Sequence, residues 1–315
     1  MTQSNPFPIT KPIVILIGPT AIGKTSLSIE LAKEFNFEII SVDSMQVYRF
    51  MDIGTAKITK AEMEGIPHHL IDIVNPDELF NAGLFEKIAT LAITDIIDRG
   101  KNVLITGGTG LYLSALLNGL IKNIPIFPEI RINAEQRLAQ HGANVLHKYL
   151  HSIDRISADR IHKNDSQRLV RAIEIFEGTG RKWSSIIAEH QNENKLRFNK
   201  VLTIGLRCER NKLYSRIERR SKLMIENGLR DEVNGLLEMG YDRELKSMQA
   251  IGYSHMLKLI HNEWTQDEFF ENLTRDTRRY AKRQFTWFNK INDISWFDMG
   301  SFDCVNSTVS KFIYA

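Results

Sequence analysis

Apolar residues follow two rhythms along this chain. An unbroken apolar, mostly β-branched run stands at residues 13–17, and runs rich in apolar residues stand at 38–42, 70–74, 102–106 and 201–206; each reads as a strand. Between them, apolar side chains recur every three or four positions. Leu27, Leu31 and Phe35 do so within 26–35, and Phe85, Ile88, Leu91 or Ala92, and Ile96 within 84–99, with Gly100 as the stop. A further helix is predicted over 111–117. Strands alternating with helices, with glycine loops at strand ends, predict an α/β protein with a doubly wound parallel sheet.

From residue 128 to about 196 the strand rhythm disappears, and the stretch reads as an all-helical insertion rich in Arg, Gln, His and Leu. Residues 213–239 read as one or two helices ending at Gly240, and 269–290 as one more helix. The chain therefore divides into 1–127 as the first part of the core, 128–198 as the insertion, and 199–315 as the remainder with basic helices. Nothing is predicted beyond Asp298.

Composition narrows the class. A chain of 315 residues with 43% hydrophobic and 25% charged residues can bury a full core and resembles an ordinary soluble globular protein. Its two cysteines, Cys208 and Cys304, have no metal-ligand spacing and form no disulfide framework, so a cytoplasmic location is expected. No signal peptide is expected at the start, and no apolar run is long enough to cross a bilayer. The net charge of +3 hides an asymmetry: residues 195–290 hold 20 Lys and Arg against 13 Asp and Glu. A basic half suggests a polyanionic partner or a solvated surface.

The candidate chemistry begins at Gly18-Pro-Thr-Ala-Ile-Gly-Lys-Thr25, which fits the phosphate-loop pattern G-x-x-x-x-G-K-[ST] between a strand and a helix. In such a loop, backbone N–H groups and a helix N-terminus cradle phosphate, the lysine sits on phosphate oxygens, and the hydroxyl binds magnesium. An ATP-hydrolysing relative of this class usually ends a later strand with an acid, but 103–106 runs into Gly107-Gly108 without one. That leaves a small-molecule kinase, or a non-ATP diphosphate ligand. Asp43, just after the second strand, could hold magnesium, bind a substrate hydroxyl, act as a general base, or merely form a turn. Gly107–Gly110 is either a second anion turn or a tight connection. His68-His69 reads as structural and Asp95-Ile-Ile-Asp98 as a solvated helix face. Near the end, Arg275, Arg278, Arg279, Lys282 and Arg283 interleave with aromatic residues. On a helix, Ala281, Phe285 and Phe288 form a packing stripe, and the basic residues form another that suits a phosphate backbone or simply solvent. Arg168 and Arg171 make a second basic site.

Several stretches in order resemble the isopentenyl-tRNA transferase (tRNA dimethylallyltransferase) family, in its bacterial form. They are the phosphate loop, Asp43-Ser-Met-Gln-Val-Tyr48, Met51-Asp-Ile-Gly-Thr-Ala-Lys57, Pro67-His-His69, Gly107-Gly-Thr-Gly-Leu-Tyr112, Asp165-Ser-Gln-Arg-Leu169, Arg216-Ile-Glu-Arg-Arg220, Ile251-Gly-Tyr253, Thr277-Arg-Arg-Tyr-Ala-Lys-Arg-Gln284 and Thr286-Trp287. The resemblance implies a P-loop NTPase-like core and transfer of a dimethylallyl group from dimethylallyl diphosphate to the N6 amine of the adenine 3′ to the tRNA anticodon. It implies that Gly18, Pro19, Thr20, Ala21, Ile22, Gly23, Lys24, Thr25 and Arg220 bind diphosphate, with Mg²⁺ on Thr25. Catalytic roles fall to Lys24, Thr25, Asp43 as base, Thr109 and Arg216. The tRNA anticodon stem-loop would meet Asp43, Ser44, Met45, Gln46, Thr109, Asp165, Ser166, Gln167, Arg168, Leu169, Gln249, Gly252, Tyr253, Arg279, Lys282, Arg283, Gln284 and Trp287. The chain departs from the family pattern at Ile22, where Ser is common, and at Asn289, where Arg is frequent. No Cys/His finger follows Asp298, and a monomer with no membrane association is expected.

Overall fold

The computed structural model of the protein describes residues 7–121, 124–193 and 196–315. Two compact units emerge, one formed by Met1–Asn118 with Leu196–Ala315, the other by Gly119–Lys195.

The larger unit opens with β1 (Ile13–Ile17), α1 (Lys24–Phe35), β2 (Phe37–Val42), β3 (His68–His69), α2 (Ala82–Asp98), β4 (Asn102–Gly107) and α3 (Gly110–Asn118). The smaller unit holds α4 (Pro128–His141), α5 (Ala143–Ile153), α6 (Arg155–Arg160), α7 (Ser166–Thr179) and α8 (Trp183–Glu193). The chain then completes the larger unit with β5 (Val201–Arg207), α9 (Arg210–Glu226), α10 (Leu229–Glu238), α11 (Tyr253–Ile260), α12 (Gln266–Phe288), β6 (Ile294–Asp298) and α13 (Phe302–Tyr314).

All six strands are parallel, in the order β3-β2-β4-β1-β5-β6. The four inner strands β2, β4, β1 and β5 are rich in apolar residues because they are buried on both faces along most of their length. Ile13, Ile15 and Ile17 pack on one side with Phe85, Ile93 and Phe288; Val14 and Leu16 pack on the other with Leu27, Leu31 and Ile217. This is the expected doubly wound α/β core.

Register is what builds the site. Ile17 of β1 and Val42 of β2 both lie beside Gly107 of β4. The chain therefore leaves three adjacent strands at the same level, at Gly18, Gly108 and Asp43. With strands about 4.8 Å apart, Gly18 and Asp43 flank a gap of roughly 10 Å.

Three sequence expectations need correction or completion. The strand expected at 70–74 is the two-residue β3 instead. Leu70 and Asp72 take φ values of 64° and 54°, which breaks extended structure, and only Val74 forms an isolated bridge, to Tyr48. The 213–239 stretch is two helices, separated where Gly228 turns left-handed at φ 95°. β6 and α13 were not foreseen; β6 is a half-buried edge strand with no clean apolar run, and α13 packs Val305 and Val309 on the α1 side.

The helical unit has its own core of Leu146, Leu150, Leu169, Val170 and Ile173. It begins at Gly119 rather than 128, and its start is tied down from within. Phe127 N donates to buried Glu174 at 3.0 Å, and Arg171 reaches the Pro125 carbonyl at 3.4 Å.

Candidate active site

The phosphate loop leaves β1 and winds into α1 through left-handed residues, Ala21 at φ 65° and Gly23 at φ 103°. Gly23 caps the helix without a side-chain bond, and Gly23, Lys24 and Thr25 line the cavity at the helix start. Lys24 folds back over its own loop and donates to the carbonyls of Gly18 at 2.8 Å and Pro19 at 3.1 Å. The Thr25 side chain stands exposed at the first turn.

Two arginines from α9 close over the loop. Arg216 Nε donates to the Ala21 carbonyl at 2.6 Å, and Arg220 donates to Thr20 Oγ1 at 2.9 Å. From the far end of the chain comes Gln284 on α12, almost fully buried. Its Oε1 accepts from Thr20 N at 2.8 Å and its Nε2 donates to the Gly108 carbonyl at 3.0 Å. One amide thus joins the phosphate loop to the loop after β4. A cavity of about 270 Å³ lies here, lined by Thr20 to Thr25, Asp43, Gln46, Arg216, Arg220, Tyr280 and Gln284 among others. Further wall comes from Ile39, Ser41, Thr55, Ala56, Ile58, His68 and Ile71, with Thr106, Gly107 and Gly108 at the end of β4.

Asp43 is the carboxylate of this cavity. Its Oδ1 accepts from Met45 N at 2.8 Å and Gln46 N at 3.1 Å. The turn reading is therefore present, and it uses only one oxygen; Oδ2 has no protein partner among the described residues. Thr109 does not line the cavity itself. Its hydroxyl accepts from Ser44 N at 3.1 Å and is hydrogen-bonded to Tyr280.

Concentrated positive charge shapes the electrostatics. Burial, and then repulsion from Arg220, lowers the Lys24 ammonium from 10.5 to about 8, against the pull of Asp43. Burial likewise lowers Arg220, while Asp43 favours its charged form. Tyr280 is pushed up to about 12 by burial and then by Asp43. A cluster of unfavourably crowded cations gains most when an anion enters. Among the described residues no three His, Cys, Asp or Glu side chains gather as a metal site. A magnesium ion that keeps its waters and takes phosphate oxygens needs only a hydroxyl or one carboxylate from protein, so Thr25 and this donor set fit it.

The basic stripe of α12 is real. Ala281 and Phe288 are buried and Phe285 packs beside them, while Arg275, Arg279, Lys282 and Arg283 are exposed. Asp276 pairs with Arg275 and Arg279 at 3.2 and 3.1 Å, and Arg283 lies over the Tyr280 ring. Trp287 packs across Gly110, where an added Cβ would come within 2.8 Å of the ring. Gln249 is exposed beyond α10.

Four residues expected to meet nucleic acid, Gly252, Tyr253, Leu169 and Gln284, are buried in the structure. Tyr253 is fully buried, with its hydroxyl on Glu232, and the neighbouring Gly252 is buried with it. Leu169 is a core residue of the helical unit, where Asp165 caps α7 by accepting from Arg168 N, Arg168 and Gln167 are exposed, and Ser166 is half-buried. Gln284 belongs to the phosphate loop rather than to an outer surface. His69 is structural, bonded to Glu38 at 2.7 Å, but His68 lines the cavity. Sequence reasoning gave Tyr280, Ser41 and Thr106 no role and read His68 as structural; of these only Tyr280 carried a signal, one helical turn before Gln284.

A glycine loop leaving the central parallel strand, a lysine and threonine at the helix start and an anion cavity at the strand ends define a P-loop NTPase-like α/β protein. The family model described as IPP transferase matches residues 46–291. The chain belongs to this family. It is 50% identical to the tRNA dimethylallyltransferase of Desulfotalea psychrophila over 93% of each chain. The solved full-length tRNA isopentenylpyrophosphate transferase from Bacillus halodurans superposes with a TM-score of 0.72 at 40% identity, covering 96% of this chain and 97% of that one. A eukaryotic dimethylallyltransferase, captured in crystallographic snapshots acting on tRNA, gives a TM-score of 0.77 at 32% identity, over 96% and 77% of the two chains.

Proposed function

We propose that this enzyme transfers the dimethylallyl group from dimethylallyl diphosphate to the N6 amine of the adenine 3′ to the anticodon in tRNA, releasing diphosphate. The observation that carries the reading is the pairing of a cation-lined phosphate loop with the Asp43 carboxylate across one cavity, and no acid at the end of β4. The kinase alternative has no support from the relatives, which are named tRNA dimethylallyltransferases.

The loop N–H groups, Lys24, Arg216 and Arg220 bind the diphosphate and take up negative charge as the carbon–oxygen bond breaks. Asp43 Oδ2, free of the turn, accepts the proton that the amine loses as its nitrogen bonds to carbon. Thr109, held by Ser44 N and Tyr280, orients the adenine. Thr25 would hold Mg²⁺, which neutralises charge on the leaving diphosphate. The exposed Arg279, Lys282 and Arg283, with Gln249 and the Asp165–Arg168 turn of the helical unit, bind the tRNA backbone. The enzyme acts as a monomer in the cytoplasm. Among the described residues no helix is long and apolar enough to cross a membrane.

The test mixes purified protein, magnesium and unmodified tRNA with labelled dimethylallyl diphosphate or labelled ATP. Label entering tRNA from the first alone is expected; label entering from ATP, or from neither, overturns the assignment.

A further inference from the structure

The stretch Met51-Asp-Ile-Gly-Thr-Ala-Lys57 lies outside the chemistry described so far, yet it is tied down at both ends. Three successive backbone N–H groups point one way. Those of Asp52 and Ile53 donate to Glu232 Oε2 at 3.0 and 2.7 Å, and that of Gly54 donates to Glu232 Oε1 at 3.1 Å. Consecutive N–H groups arranged like this form a concave anion nest. Here the nest is filled by a carboxylate of the chain itself, and Tyr253 Oη adds a fourth donor at 2.6 Å. The approach is so close that a Cβ on Gly54 would stand 2.5 Å from the Tyr253 ring.

The other end of the loop is fixed as firmly. Lys57, its side chain 4% exposed, donates to the Tyr48 carbonyl at 2.7 Å and bridges Asp52 and Asp72 at 2.6 Å each. Between these anchors, the carbonyls of Thr55 and Ala56 accept from Gln46 Nε2 at 3.4 and 3.3 Å. Gln46 in turn gives its backbone N–H to Asp43. Thr55 and Ala56 also line the cavity. A continuous set of contacts therefore runs from Glu232 on α10, through the loop and Gln46, to the Asp43 carboxylate.

We infer that Glu232 is a positioning residue for the transfer reaction, holding the Met51–Lys57 loop as one wall of the cavity and thereby setting the placement of Gln46 and Asp43. The inference rests on the function proposed above. Glu232 touches neither the phosphate loop nor Arg216 or Arg220, so it governs the reacting end of the cavity and leaves the anion cradle alone. A glutamine cannot replace it, because its Nε2 would face N–H donors.

The experiment uses the full chain with Glu232→Gln and Glu232→Asp, comparing kcat, KM for dimethylallyl diphosphate, and calorimetric binding of inorganic diphosphate. Displacing a reacting group by about 1 Å costs on the order of a hundredfold in rate. The Gln variant should lose about that much kcat and raise KM several-fold. The Asp variant keeps the charge at shorter reach and should fall between. Inorganic diphosphate should bind both with wild-type stoichiometry and affinity; a merely destabilised protein would lose stoichiometry instead. A folded Gln variant with wild-type kcat overturns the inference, as does loss of diphosphate stoichiometry in step with kcat. If the Gln variant does not fold, an Asp variant within twofold of wild type overturns it equally. Absence of label transfer by the unaltered chain defeats the functional reading itself, a distinct result.

Discussion

Lys24→Met should make the ligand-free protein more stable while removing its ability to hold diphosphate. The Lys24 ammonium falls from 10.5 to about 8 on folding, chiefly through burial and then through Arg220. A lysine with a folded pKa below its unfolded value costs stability wherever the folded chain must carry the proton. That cost is complete below about pH 8, fades between 8 and 10.5, and is gone above. At 1.36 kcal/mol per unit the full shift is about 3 kcal/mol. Lys24 is only partly buried, so solvent screens some of this. The bonds to Gly18 and Pro19 return roughly another 1 kcal/mol to the wild type. About 1 kcal/mol or slightly more in favour of the variant remains at pH 7. Urea unfolding of both proteins at pH 7 and pH 10, with diphosphate binding measured alongside, tests the sum. The reasoning fails if the methionine variant is the less stable at pH 7, or if the difference between the two is unchanged at pH 10.

Asp43→Asn keeps the turn to Met45 and Gln46 but removes the base; turnover should drop by about 10³ or more with tRNA still bound, and single-turnover rates within tenfold of wild type would exclude Asp43 from proton transfer. Lys282→Ala, on the exposed stripe of α12, should weaken tRNA binding and reduce the slope of log K against log salt by about 0.7–0.9; an unchanged slope returns the stripe to a solvated face. Glu38→Gln should destabilise the core by about 2 kcal/mol at pH 7. Arg99, and then His69, hold the Glu38 carboxyl at about 2, against 4.5 when unfolded, and the half-exposed Arg99 discounts the full shift. Since that stability is present above pH 4.5 and disappears as pH falls toward 2, the gap between the two proteins in urea should narrow by pH 3.5. A gap constant from pH 7 to 3.5 would refute the assignment.

The parallel core was legible because each buried strand announces itself without help from distant residues: 13–17 and 103–105 are apolar whichever neighbour they take. Residues 70–74 carried the same signal and are not a strand, because backbone turns at Leu70 and Asp72 answer to the tertiary position of Lys57, which binds Asp72. β6 was hidden by its half-buried edge position. In the site, the phosphate loop and Asp43 were readable from local pattern. The roles of Gln284 and Glu232 were not, since each bonds across separations of more than 170 residues that no local spacing records. Local spacing was equally silent on Tyr253, whose hydroxyl is buried on Glu232 only 21 residues away.

α12 carries three jobs on one rod: Ala281 and Phe288 bury into the core, Gln284 joins the two glycine loops, and Lys282 and Arg283 face solvent. Successive residues of a helix point about 100° apart, so these jobs interleave within a single turn. Inserting or deleting one residue before Ala281 would rotate all three together, turning a basic side chain toward the phosphate loop and the amide toward water. Single substitutions there can be absorbed one side chain at a time, but a change of length cannot. Natural variation in this segment should therefore run through side-chain identity at fixed length, with insertions and deletions confined to the turns on either side.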